Sequence, residues 1–243
     1  MGCELTVSLR GFHTVRVDLS RGVTVGTLKL VRQRGVLDDS YSMTTQLAPK
    51  DARKAYEKGV EALRKQKFDE ARKHLARAVE IYPNYSVAWY ETGASFQHQR
   101  RFDEAIEAYA KASRADGQFV LPIIQTASIL IGQRRWREAA GVTGALVASS
   151  RFDHPEAFLY DAVAKYNLKD LEGAEKSARR AVELDDLHRF PKSWHLLAII
   201  LVSRNEPEEA VQYLRSYLEY APGSPDAASI RQQLATLEAN GRP

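Results

Sequence analysis

The sequence predicts a mainly α protein, a solenoid of stacked helix pairs preceded by a short antiparallel β segment. Three observations carry that expectation. The stretch from Lys67, "KFDEARKHLARAVEIYPNY", is nearly rewritten 34 residues later as "RFDEAIEAYAKASRADGQF". Apolar residues alternate one-in-two before Pro49 and recur at helical spacing after it. Composition is that of an ordinary soluble chain, with 44% apolar and 27% charged residues.

The β segment is expected over 1–34. Leu5, Val7 and Leu9 alternate with Glu4, Thr6 and Ser8, and Val15, Val17 and Leu19 follow the Arg10-Gly11 turn. Val25, Leu28 and Leu30, after Arg21-Gly22, mark a third strand. Met1-Gly2-Cys3-Glu4-Leu5-Thr6 also fits the N-myristoylation pattern, with Cys3 placed for a second acyl chain. The same residues write the first strand, and the strand is the stronger expectation. Three strands within about 34 residues fall below the size that folds alone, so their apolar face needs a cover. Residues 35–48 read as a polar linker, and Pro49 suits a first helical position.

The repeat occupies 49–224. Ala71, Ala105, Ala139, Ala174 and Ala210 recur at spacings of 34, 34, 35 and 36. Twelve positions before each stands another small residue: Gly59, Gly93, Ala127, Ala162 and Ala198. Four positions after each come Leu75, Tyr109, Thr143, Ala178 and Leu214. Small residues at a helix crossing let backbones approach, and larger neighbours fill the space beside them. Trp89 and Trp194 share one slot in repeats two and five, which predicts that Trp89 is nearly buried. Repeat three is the weakest copy, with Thr143 at an apolar position and Gly132, Gly141 and Gly144 within helical pattern. One pair cannot bury its apolar face, so pairs stack and the last needs a cap. Residues 225–243 supply a capping helix and tail, with Ile230, Leu234 and Leu237 on one stripe.

These registers resemble the tetratricopeptide repeat over about residues 50 to 224, five repeats in all. Repeat two carries the pattern best, in Trp89, Gly93, Phe96, Ala105 and Tyr109. The resemblance implies eleven helices in a right-handed α-α superhelix. It also implies a non-enzymatic interaction scaffold whose first helices line a concave groove for a protein or peptide. Carried over position by position, the groove residues are Tyr56, Val60 and Arg64, then Tyr90, Gln97 and His98, then Ile124, then Leu159 and Tyr166, then His195. Glu156 falls on the same stripe. Tyr56, Tyr90 and Tyr166 are expected to be partly exposed. The family's chaperone-binding members clamp a terminal carboxylate with lysines and asparagines there. Tyr56 and Val60 stand at two of those positions, which speaks against that activity.

The stretches "CELTVSLRGFHTVRVDL" and "VGTLKL" are similar to the last strands of a carboxypeptidase regulatory-like, transthyretin-type β-sandwich. Its opening strands are missing, so either the chain is a fragment or the strands are re-used; the fragment is favoured. The combination resembles exported bacterial proteins and implies a periplasmic or extracellular place. It also opens a second reading, a self-assembly module whose strands pair with another copy of the chain.

No chemistry-bearing constellation emerges. There is no glycine-rich phosphate loop and no nucleophile elbow. The six histidines show no ligand spacing, so neither a metal nor a cofactor is expected. The single Cys3 excludes an intrachain disulfide. A net charge of +4 is too mild to call for nucleic acid, and no apolar run is long enough for membrane insertion. Basic residues recur at the turns within repeats (Lys65 and Lys67, Arg100 and Arg101, Arg134, Arg135 and Arg137). Acidic residues follow each group, so this edge is expected to neutralise itself.

Overall fold

The structure is a computed structural model that describes residues 4–7, 15–18, 42, 44–148, 154–185 and 188–240. The chain forms two compact units, Met1–Ser40 and Tyr41–Pro243. In the first, strands β1 (Glu4–Val7) and β2 (Val15–Asp18) pair antiparallel, with Leu5 opposite Val17. The expected third strand lies outside the described residues. The two strands among the described residues give no support to the resemblance to a sandwich or to the pairing of this segment with another chain.

The second unit holds twelve helices among the described residues. A single turn, α1 (Thr44–Leu47), precedes five pairs: α2 (Lys50–Arg64) with α3 (Phe68–Ile81), α4 (Ser86–His98) with α5 (Phe102–Ala115), α6 (Leu121–Gly132) with α7 (Trp136–Ala148), α8 (Pro155–Asn167) with α9 (Leu171–Leu184), and α10 (Lys192–Ser203) with α11 (Pro207–Tyr220). Helix α12 (Ala227–Asn240) closes the stack, with Leu234 and Leu237 packed on the last core. The eleven expected helices are α2 to α12. Pro49 precedes α2 as its N-cap, one position earlier than expected.

Each pair crosses on its small residue. All five repeat alanines, Ala71 to Ala210, are fully buried. A Cβ added at Gly59 would come within 2.7 Å of the Leu75 side chain, and one at Gly93 within 2.6 Å of the Tyr109 ring. No side chain fits between those helices, so glycine there is a packing requirement. The turn inside each pair is equally regular. Gln66, Arg100, Arg134, Lys169 and Asn205 all take positive φ, between 57° and 69°. Around each, two amides reach back to helix carbonyls, as from Lys67 to Ala62 at 2.9 Å and from Gln66 to Leu63 at 2.8 Å. This is the Schellman closure, built on residues other than glycine, which carry a steric cost there.

Two expectations need correction. The end of the polar linker is packed: Ser42 and Thr44 are buried, and Ala48 joins the first core cluster. The Ser42 hydroxyl donates to Asp116 at 2.6 Å, and the Ser86 amide donates to Thr44 Oγ1 at 3.2 Å. These bonds tie the segment to both helices of repeat two. Trp89 is only half-buried. Its indole donates to the Pro83 carbonyl at 2.9 Å, and Lys111 Nζ stands 4.7 Å from its ring centre. Trp194 in the matching slot is 5% exposed, because His188 and Tyr220 cover it at 5.1 and 5.0 Å.

Candidate binding groove

The first helices α2, α4, α6, α8 and α10 carry the expected groove positions at a spacing of three and four. On α2 and α4, Tyr56 and Tyr90 are half-buried, and each ring rests on a deeper aromatic. Tyr56 lies 5.2 Å from fully buried Tyr85, and Tyr90 lies 5.4 Å from both Tyr109 and Phe119. The rings thus stand on a packed aromatic floor. Burial pushes the Tyr90 phenol up to about 12, and it raises Tyr56 and Tyr109 further, so all three stay neutral donors at physiological pH.

A carboxylate outside the sequence expectations shares this site. Glu91 follows Tyr90 on α4 and is half-buried. Its charge acts on Tyr56, Tyr90 and Tyr109. Burial raises its carboxyl, and the positive charge of Arg64 partly opposes that. Val87 and Ala94 are further expected groove positions on α4, and Glu91, four residues after the first and three before the second, falls on the same stripe. The apolar residues and tyrosines that dominate the stripe give no sequence signal for a carboxylate there. From two repeats along, the Glu156 charge also reaches Tyr90. Glu156 accepts a hydrogen bond from Tyr160 at 2.9 Å, and burial pushes the Tyr160 phenol up to about 12.

The remaining expected residues divide. Val60 is half-buried, and Arg64 is exposed at the rim beside Glu61, 4.0 Å away. Gln97 is committed to the fold: it accepts from the Tyr109 hydroxyl at 2.5 Å, and its amide lies 3.4 Å from Gln125. His98 stacks on Phe68 with ring centres 5.6 Å apart, near the turn of repeat one. Ile124 and Leu159 are buried, Ile124 in a cluster with Val120, Leu146 and Ala157. They belong to the packing between helices and not to an open surface. Tyr166 is half-buried, with its hydroxyl 3.4 Å from Ser203. His195 meets Gln233 of the capping helix at 3.2 Å. The open aromatic and acidic surface therefore gathers on α2 and α4, with α8 contributing Glu156.

At the turn edge the basic residues are largely paired. Lys67 meets Glu70 at 3.0 Å, Arg101 meets Glu104 at 2.7 Å, and Arg135 bridges Glu138 and Asp103 at 2.7 and 2.9 Å. No helix among the described residues is long and apolar enough to cross a membrane.

Comparison with known proteins matches this architecture. Family models described as tetratricopeptide repeat match residues 56–118 and 191–224. No curated protein matches the chain. Among solved structures, MamA (residues 41 to the end) from Desulfovibrio magneticus RS-1 is 17% identical, with a TM-score of 0.61 over 73% of this chain and 99% of that one. YrrB, described as a TPR protein with an unusual peptide-binding site, is 16% identical, with a TM-score of 0.61 over 79% and 99%. PilW, a type IV pilus biogenesis factor, is 17% identical, with a TM-score of 0.63 over 80% and 89%. At these identities the likeness is one of fold. The helical part of the chain is a solenoid of stacked helix pairs, with tetratricopeptide repeats matched over residues 56–118 and 191–224.

Proposed function

We propose that the chain is a non-enzymatic scaffold that binds an extended protein segment in the groove centred on α2 and α4. One observation carries this reading. Tyr56 and Tyr90 stand half-exposed on adjacent first helices, with their inner faces fixed on Tyr85, Tyr109 and Phe119. Rigid aromatic surface with a polar tip is what binding hot spots use, because little side-chain entropy is lost on contact. YrrB, a TPR protein with an unusual peptide-binding site, offers a parallel for this use of the fold.

A photo-crosslinking amino acid placed at the Arg64 rim position tests the reading in the native host. A second placement at Glu107, exposed on α5, is the control. The expected result is a discrete protein adduct from position 64 that is absent from position 107. The same adducts from both positions, or none from 64, would overturn it.

A further inference from the structure

We propose that the groove captures a basic side chain, a lysine or arginine of the bound segment, on the half-buried Glu91 carboxylate that follows Tyr90 on α4. This rests on the groove reading above and names the chemistry of its occupant.

Glu91 is the exception among its kind. Every other buried or half-buried carboxylate among the described residues holds a hydrogen bond or an ion pair. Asp161 meets Lys165, Glu209 meets Arg179, Asp185 accepts from the Arg189 and Phe190 amides, and Glu156 accepts from Tyr160. Glu91 has neither, and Arg64 acts on it only by its charge while standing beside Glu61. A carboxylate taken partly out of water without a partner costs free energy, and the fold gains nothing visible in return. A cation supplied by another molecule would satisfy it.

The surroundings select the same sign of charge. Tyrosine rings attract a cation to their faces. A cation beside Tyr90 also feels Glu156. Against these two carboxylates stand two exposed cations of α2, Arg64 at the rim and Arg53, whose charge acts on Tyr85. A terminal carboxylate in this place would meet Glu91 as a like charge. The whole chain carries +4, so long-range attraction does not favour a basic segment, and a preference for one must come from local contact.

Phage-displayed random peptides selected on the full chain, and in parallel on Glu91→Gln, test this. On the parent chain, enriched peptides are expected to share a lysine or arginine at one register position. Replacing that residue by norleucine in a synthetic peptide should weaken binding about tenfold, the weight of a charge-assisted contact with a ring beside it. Selection on Glu91→Gln should lose the basic position while still enriching apolar peptides. Tyr90→Ala should weaken basic and norleucine peptides alike. Enriched peptides without a shared basic residue would overturn the proposal and leave the groove standing, as would a basic preference that survives in Glu91→Gln. Failure of the parent chain to enrich any peptide would overturn the groove reading and this proposal together. A thermal melt of Glu91→Gln at or above the parent's excludes misfolding as the cause of a lost preference.

Discussion

Glu91 shows how a single residue can trade stability for availability. Its carboxyl is raised above the ordinary value of 4.5 by burial. A raised carboxyl holds more protons in the folded than in the unfolded chain, from about 4.5 up to its folded value. Stability from this group therefore falls as pH rises through that window and stays lower above it. Glu91→Gln is expected to raise the melting temperature at neutral pH by about 1–3 °C and to change it little near pH 4. Melts of both chains across that range check the sign, and a lower melting temperature at neutral pH would contradict it. The two tryptophans make a second test at this scale. Trp194→Ala is expected to cost about 3–5 kcal/mol, as core aromatics do. Trp89→Ala should cost well under half of that, because its ring already faces Lys111 and solvent. Chemical denaturation of the two variants ranks them; equal costs would mean that Trp89 is core after all.

At the scale of the helix, glycine has opposite meanings in α4 and α7. Gly93 is held against the Tyr109 ring, so Gly93→Ala forces that ring out of its place. It should cost about 1–3 kcal/mol. Gly141 and Gly144 meet nothing within 4 Å of an added Cβ. Each change to alanine there should stabilise α7 by up to about 1 kcal/mol, the difference in helix propensity. Urea unfolding of the three variants checks the opposite signs. The sequence distinguishes these glycines only in part. Gly93 recurs with the repeat, which marks it as a crossing residue, whereas Gly141 and Gly144 fall off that register. The distance that forbids a side chain is a property of the packed pair. Thr143 is the converse case. It reads as a flaw in repeat three, yet its hydroxyl donates to buried Asp161 at 2.8 Å, which also meets Ser177 at 2.5 Å and Lys165 at 2.6 Å.

That polar knot matters for the whole solenoid, because it joins α7, α8 and α9 across two repeats. Asp161→Ala would leave Lys165 without its partner and the Thr143 and Ser177 hydroxyls without their shared acceptor. A loss of about 3 kcal/mol is expected, and the melt should broaden as the first and second halves of the stack uncouple. An unchanged, sharp melt would show that packing alone joins the repeats. The amino-terminal boundary can be tested in the same way. A chain beginning at Tyr41 is expected to melt with the parent, since residues 41–243 form one compact unit. A chain beginning at Leu47 loses the Ser42–Asp116 and Thr44–Ser86 bonds. It should melt about 4–8 °C lower, as about 2 kcal/mol of buried hydrogen bonding implies at this size.

The sequence by itself determined the helix pairs, their register and their turns, because these rest on local spacing. An alanine every 34 to 36 residues, small against large, is a pattern that one strand of text contains. The resemblance to the tetratricopeptide repeat is what implied Tyr56 and Tyr90 as groove residues. Only the tertiary structure decided which stripe residues remain open. Ile124 and Leu159 carry the same spacing as Tyr56 but are buried, and His195 meets Gln233 of the cap. Only the fold, too, left Glu91 half-buried and let its charge act on tyrosines of α2, α4 and α5, with the Glu156 charge acting on Tyr90. The physical reason is the range of the forces. Backbone propensity and periodicity act within a few turns of helix, whereas desolvation and charge act across whatever packing brings together.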